Sequence, residues 1–195
     1  MNEPKDDSFL DLYKEMETVF SSFQKENNLS CPEGCGACCL SPEIEASVAE
    51  MLPLAHYLIK TNKAIETLND LQDSSRTCVL YQSQTANGEK GYCKAYEYRP
   101  AICRMFGVAS VSTKDNTIKY SICSKLKQEK PREIEDLKLR KPQAPFMHEW
   151  IHKLLSIDPE ILQQRQPINL ALKEALMKLL YLHDLSKNSL VTLST

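Results

Sequence analysis

Apolar residues recur at helical spacing from near the start of the chain. Phe9, Leu12, Tyr13, Met16, Val19, Phe20 and Phe23 form one stripe between residues 8 and 26. Ser8 reads as the N-cap of this helix and Asn27-Asn28 as its stop. A second stripe runs through Ile44, Val48, Met51, Leu52, Ala55, Leu58 and Ile59. Ser41-Pro42-Glu43 ahead of it has the hydroxyl, proline and acid of a helix start. Pro53 lacks a backbone donor and is expected to kink or split that helix. A shorter helix is predicted over residues 63–72.

The pattern then shortens. Cys78-Val79-Leu80-Tyr81 reads as a short strand, Asn87-Gly88 as a turn, and Gly91-Tyr92-Cys93 as the return. Residues 96–106 read as a loop feeding a helical turn, with Pro100 near its start. Val108, Ser110, Val111 and Thr113, then Asp115-Asn116, then Ile118 and Tyr120 suggest a hairpin ending near Cys123. Residues 125–142 mix both charge signs with a basic excess, read as a solvated linker or exposed helix and ended by Pro142 and Pro145. Helices are predicted near 146–156 and 159–185. The second has a stripe at Ile168, Leu172, Ala175, Leu176, Leu179 and Leu182, and Pro167 argues for a later start. The fold expected is mainly α, with helices packed around an irregular cysteine-rich metal-binding core that includes a short β-hairpin. Its regions are an N-terminal helix (1–30), the cysteine cluster (31–123), and a charged linker with C-terminal helices (124–195), together one compact domain.

Composition narrows the chemistry. The formal net charge of the 195 residues is −2, which offers no field for drawing in nucleic acid. The N-terminus leads into no apolar signal region, and no apolar run approaches the roughly 18 residues of a membrane span. A cytoplasmic protein is expected. In that compartment eight cysteines favour metal ligation or redox chemistry over structural disulfides.

Four of the eight lie in Cys31-Pro32-Glu33-Gly34-Cys35-Gly36-Ala37-Cys38-Cys39. Thiolates this dense on a glycine-rich backbone suit zinc or an iron–sulfur cluster, both of which draw ligands from separated segments. The other segment is Cys78, Cys93, Cys103 and Cys123. Cys35 and Cys38 have the tight spacing for a common metal, completed from Cys93 and Cys103. Cys31, Cys39, Cys78 and Cys123 are further candidates. The side chains of Cys38 and Cys39 diverge, so they do not easily share one small ion, and one or two metal centres both remain open. Arg99 and Arg104 flank Cys103 and are candidates to offset thiolate charge and donate to sulfur.

The block Cys35-Gly36-Ala37-Cys38-Cys39, then Cys78-Val79-Leu80-Tyr81, then Tyr96-Glu97-Tyr98-Arg99-Pro100-Ala101-Ile102-Cys103-Arg104 and the late Cys123, resembles the CxxCxxCC (YkgJ-type) cysteine-cluster family. The resemblance covers residues 31–123, with three residues between Cys31 and Cys35 where the family pattern has two. It implies a zinc- or iron-chelating domain. It is also similar in its cysteines to flagellin lysine N-methylases, which implies an iron–sulfur cluster and a redox or lysine-methyltransferase-like alternative. No Gly-rich nucleotide-binding loop and nothing else outside the cysteines supports methyl transfer.

His148-Glu149-Trp150-Ile151-His152 is a competing motif. On a helix, His148 and His152 could share a zinc, with Glu149 as general base of a hydrolase. The extended form of the motif is absent, and no context announces a third ligand. Chelation through cysteine thiolates is therefore the preferred reading, with the metal ion as the one expected partner.

Overall fold

The computed structural model describes residues 4–72, 77–88, 90–115, 117–162 and 165–191; of residues 4, 162 and 185–191 it describes the backbone. The protein is mainly helical, with only short antiparallel strand pairs. Helix α1 spans Pro4–Glu26. It begins ahead of Ser8, so Ser8 is not its cap. Pro4 supplies a helical φ, and Asp6 and Asp7 in the first turn favour the positive end of the helix dipole. Asn28 adopts a left-handed φ of 56° and stops the helix where expected.

The next helix corrects the sequence reading twice. Residues after Ser41 form a turn and a short strand, β1 (Glu45–Ala46), and helix α2 runs from Val48 to Lys60. Its cap is Ser47. The Ser47 hydroxyl accepts from the Glu50 N–H at 3.2 Å, and the Ser47 N–H donates to Glu50 Oε2 at 2.9 Å. Glu50 is 1% exposed and also accepts from Arg165 Nη1 at 3.0 Å, so the cap is part of a buried ionic network. Pro53 lies inside α2, which continues through it; Pro53 is buried with the apolar face, and that packing holds the helix together across the missing donor.

Helix α3 (Ala64–Gln72) follows, then the hairpin of β2 (Tyr81–Ser83) and β3 (Gly91–Cys93). Residues 78–80 form a turn ahead of β2 and not the strand expected there, because the Tyr81 N–H bonds back to the Cys78 carbonyl at 2.9 Å. A 3₁₀ turn at Tyr96–Tyr98 leads into α4 (Ala101–Arg104), with Pro100 at its N-cap. Strands β4 (Val108–Ser112) and β5 (Ile118–Ile122) form the second hairpin, in register Val108 with Ile122. Its expected turn at Asp115-Asn116 lies partly outside the described residues.

The charged stretch forms two short helices, α5 (Ser124–Glu129) and α6 (Pro131–Arg140), with Leu126, Ile134 and Leu137 turned inward. Helix α7 covers Met147–Ile157. A 3₁₀ turn (Pro159–Leu162) and strand β6 (Gln166–Pro167), paired with β1, precede α8 (Ile168–Val191). As Pro167 implied, the last helix starts just after it.

Three apolar clusters hold these elements. Helices α2, α3 and α8 pack through Met51, Leu54, Leu58, Leu71, Leu172 and Leu176. Helix α1 packs on α4 and α7 through Phe9, Tyr13, Phe20, Met105, Trp150 and Leu154. The second hairpin packs on α5 and α6 through Val108, Ile122, Leu126, Ile134 and Leu137. Cys78 and Cys93 rest on the first cluster, and α4, which carries Cys103, is gripped by the second through Ala101. Rigid elements thus position the second cysteine group. Among the described residues no helix is long and apolar enough to cross a membrane.

Candidate metal centre

The loop 31–39 keeps its shape because its backbone bonds inward and its glycines admit close neighbours. The Cys35 N–H donates to the Pro32 carbonyl at 3.1 Å, closing a turn through Gly34 at φ +70°, a conformation costly for a side chain. Gly36 is required for a different reason. A Cβ there would stand 2.3 Å from the ring of Tyr81, which lies against the loop and donates its hydroxyl proton to the Gly88 carbonyl at 2.8 Å. The loop is stitched to the first hairpin by Gly91 N–H to Gly34 carbonyl (2.9 Å) and to the next segment by Cys78 N–H to Cys39 carbonyl (2.9 Å).

The second cysteine group is held from behind. The Asn169 side chain on α8 donates to the Thr77 carbonyl at 2.8 Å and accepts from the Val79 N–H at 3.0 Å, clamping the backbone on both sides of Cys78. Cys93 ends β3 opposite Tyr81. Cys103 sits on α4, its N–H bonded to the Pro100 carbonyl at 3.0 Å.

These segments enclose a cavity of about 400 Å³ lined by seven cysteines: Cys31, Cys35, Cys38, Cys39, Cys78, Cys93 and Cys103. Cys123 does not line it; it packs against the third apolar cluster at the start of α5. Seven of the eight cysteines thus share one cavity, and Cys123 stands outside its lining, near enough for its charge to act on Cys31.

Electrostatics make Cys38 the hub. Its charge is felt by Cys31, Cys39, Cys78, Cys93 and Cys103. The Cys39 thiol donates to the Cys38 sulfur, and the Arg99 cation and the Cys39 N–H add to it, holding Cys38 down at about 6; Cys39 is raised by the same bond. Burial, with neighbouring thiols adding to it, pushes Cys31, Cys78, Cys93 and Cys103 up. Cys78 goes to about 11 although the N–H groups of Leu80 and Tyr81 bond its sulfur. Burial raises Cys93 against the Ala95 N–H, and raises Cys103 strongly. The Cys31 sulfur at the mouth is partly screened from water and is raised to about 11, first by desolvation and then by Cys35, Cys123 and Cys38.

Thiols crowded in low dielectric resist ionising together, and a bound cation removes that resistance. Soft sulfur donors on two segments, with backbone N–H groups aimed at three of the sulfurs, match what zinc and iron require. Among the described residues no three Cys, His, Asp or Glu side chains already converge as closely as one ion would hold them.

Arg99 and Arg104 both line the cavity. Arg99 lowers the pKa of Cys31, Cys38, Cys93 and Cys103, and Arg104 that of Cys93. Both are anchored by Glu17 of α1, Arg99 at 2.8 Å and Arg104 at 3.1 Å. Arg104 also donates to the carbonyls of Glu97 (2.6 Å) and Arg99 (3.0 Å), and the Arg99 guanidinium stacks 3.5 Å from the Tyr96 ring centroid. The sequence reading missed Glu17 and Asn169. Each sits on a helix whose pattern announces packing, so neither carries a local signal.

The second motif lies elsewhere. Residues 148–152 are helical in α7, with Trp150 and Leu154 inward and His148, Glu149 and His152 exposed. The two imidazoles meet edge to face at 4.9 Å between centroids, and neither lines the thiol cavity. Among the described residues no third candidate ligand joins them.

No curated protein and no solved structure gives a significant match to the chain. Residues 30–135, more than half of the chain, match the model of a family described as "Putative zinc- or iron-chelating domain", a span that contains every cysteine lining the cavity. With its cysteine pattern gathered on one cavity, this protein belongs to the CxxCxxCC family.

Proposed function

We propose that the thiol cavity is the chelating site of this domain and takes a centre of more than one metal ion, either an iron–sulfur cluster or a zinc or iron pair. Cys35, Cys38, Cys93 and Cys103 are the core ligands, with Cys78, Cys39 and Cys31 around them. The observation that carries this reading is the gathering of seven thiols on about 400 Å³. One tetrahedral zinc is satisfied by four thiolates at about 2.3 Å and needs neither that room nor the additional sulfurs. Adjacent Cys38 and Cys39, whose side chains diverge, fit two metal positions better than one.

The chain's own residues prepare the site. Leu80, Tyr81 and Ala95 present N–H groups to sulfur, and Arg99 offsets thiolate charge. Glu17 keeps both guanidinium groups in place. Metal bound there would neutralise the thiolates and, as an iron–sulfur cluster, supply one-electron chemistry. Because such thiols must stay reduced to bind, the reading also places the protein in the cytoplasm.

Anaerobic purification followed by metal and acid-labile sulfide analysis tests it. More than one equivalent of metal per chain is expected, with equimolar sulfide and a brown colour for a cluster and no colour for zinc. The Cys35→Ser, Cys38→Ser double variant should lose the metal, while Cys123→Ser should keep it. A protein that binds one equivalent or less, or a double variant that retains its metal, would overturn the proposal.

A further inference from the structure

A second concavity lies away from the thiols. It is a groove of about 1010 Å³ between one face of the second hairpin, the α5–α6 pair and residues 141–146. Ser110, Ile118, Tyr120 and Ile122 share the hairpin face that lines it, as their spacing and the pairing of Ser110 with Tyr120 require. Ile134 and Phe146 complete an apolar floor. At the inner end Ile122 and Ile134 belong to the third buried cluster. At the outer end Ile118 is 63% exposed, a large aliphatic group facing water beside the core. Tyr120 fixes the wall by donating its hydroxyl proton to the Pro142 carbonyl at 2.6 Å, and the Ser110 N–H bonds the Pro145 carbonyl at 2.8 Å.

Four lysines rim this floor from three elements: Lys119 on β5, Lys127 on α5, Lys138 on α6, and Lys141 at the left-handed end of α6. All four are exposed, no carboxylate lines the groove, and among the described residues none of the four has an ion-pair partner. Two acids of these helices are engaged elsewhere, Glu129 with Lys125 and Asp136 with Arg140. On a chain of net charge −2, this is a local concentration of unpaired positive charge over an apolar trough.

We propose that the groove docks an acidic segment of a partner protein, one that places aliphatic side chains on Ile118, Ile122 and Ile134 and carboxylates against the four lysines. Charge complementarity names the sign of the partner, and the floor names its class. Single-stranded nucleic acid needs flat aromatic or arginine platforms for its bases. Here the floor is mainly isoleucine, no arginine lines it, the Tyr120 hydroxyl is bonded to the wall, and Phe146 meets the His148 ring edge-on at 5.7 Å.

Fluorescence anisotropy on the full-length, metal-loaded protein tests this. The probe is a labelled synthetic peptide alternating glutamate with leucine; its comparison has serine at every leucine, and a labelled single-stranded RNA of similar length is the third arm. The glutamate–leucine peptide should bind saturably and more weakly as salt rises. Binding should weaken about tenfold in Lys119→Glu, Lys138→Glu and severalfold in Ile118→Ser. Circular dichroism checks that these surface variants stay folded. Absence of saturable binding, equal binding of the serine peptide, equal binding by the charge-reversed variant, or tighter binding of the RNA would each overturn the proposal.

Discussion

The chemistry of the site is decided at the level of single atoms, and two residues illustrate how. Cys38 is the thiol whose charge acts on Cys31, Cys39, Cys78, Cys93 and Cys103, and its own pKa is lowered by the neighbouring Cys39 thiol. Cys38→Ser should therefore lower metal content more than Cys31→Ser, which changes an exposed thiol at the mouth; inductively coupled plasma analysis of both variants checks this. Glu17 carries no metal ligand, yet both guanidinium groups lean on it, and the Arg104 side chain is only 5% exposed. Glu17→Gln leaves that buried cation without its carboxylate and should cost about 1–3 kcal/mol, read from urea denaturation.

Ionisation at the same scale predicts a pH dependence. Burial raises Cys78 to about 11, above the roughly 8.5 of a free thiol, so the folded, metal-free protein holds this proton more tightly than the unfolded chain. Cys93 and Cys103 shift in the same direction. The contribution is complete below about pH 8.5 and is lost as pH rises through about 11. Reduced, chelator-treated protein should show a falling Tm across that window. Metal-loaded protein should instead lose metal on acidification, when protons compete for sulfur.

Elements translate these atoms into a site. The loop 31–39 has its bend because Gly34 takes a positive φ, and its depth because Gly36 admits the Tyr81 ring. Gly36→Ala places a methyl in that ring and should destabilise the loop by about 1–3 kcal/mol. Metal retention should fall with it, read by metal analysis after dialysis. Helix α2 offers a control remote from the chemistry. Ser47→Ala removes half of the capping box and should cost about 1 kcal/mol while metal content stays the same. That helix also marks a limit of pattern reading. Ser41-Pro42-Glu43 reads as the start, whereas the folded chain caps the helix at Ser47-x-x-Glu50, where Arg165, far along the chain, bonds buried Glu50.

At the scale of the molecule, the three apolar clusters form a mainly helical frame, into which the thiol segments reach through Leu80 and Ala95. Hydrogen exchange should show this division. Chelation should expose the amides of residues 31–41 and 77–95, held mainly by turns and short strands, while α1, α2, α7 and the N-terminal half of α8 keep their protection. If α2 and α8 exchange as fast as the cysteine loops after chelation, metal and core fold as one unit and the division fails.

The sequence by itself determined the parts whose physics is local. Helical periodicity located α1, α3, α7 and α8, the Asn87-Gly88 turn located the first hairpin, and cysteine density on a glycine-rich backbone announced metal chemistry. Tertiary structure alone decided which elements meet. It left Cys123 out of the lining of the cavity that the other seven thiols share, brought Glu17 to both arginines, and sent Asn169 to the Cys78 turn across some ninety residues. It also left the HExxH residues on an exposed helix face. Periodicity, caps and turns depend on neighbours along the chain and can be read from it. A cavity depends on which faces pack together, and that follows from burying all three apolar clusters at once.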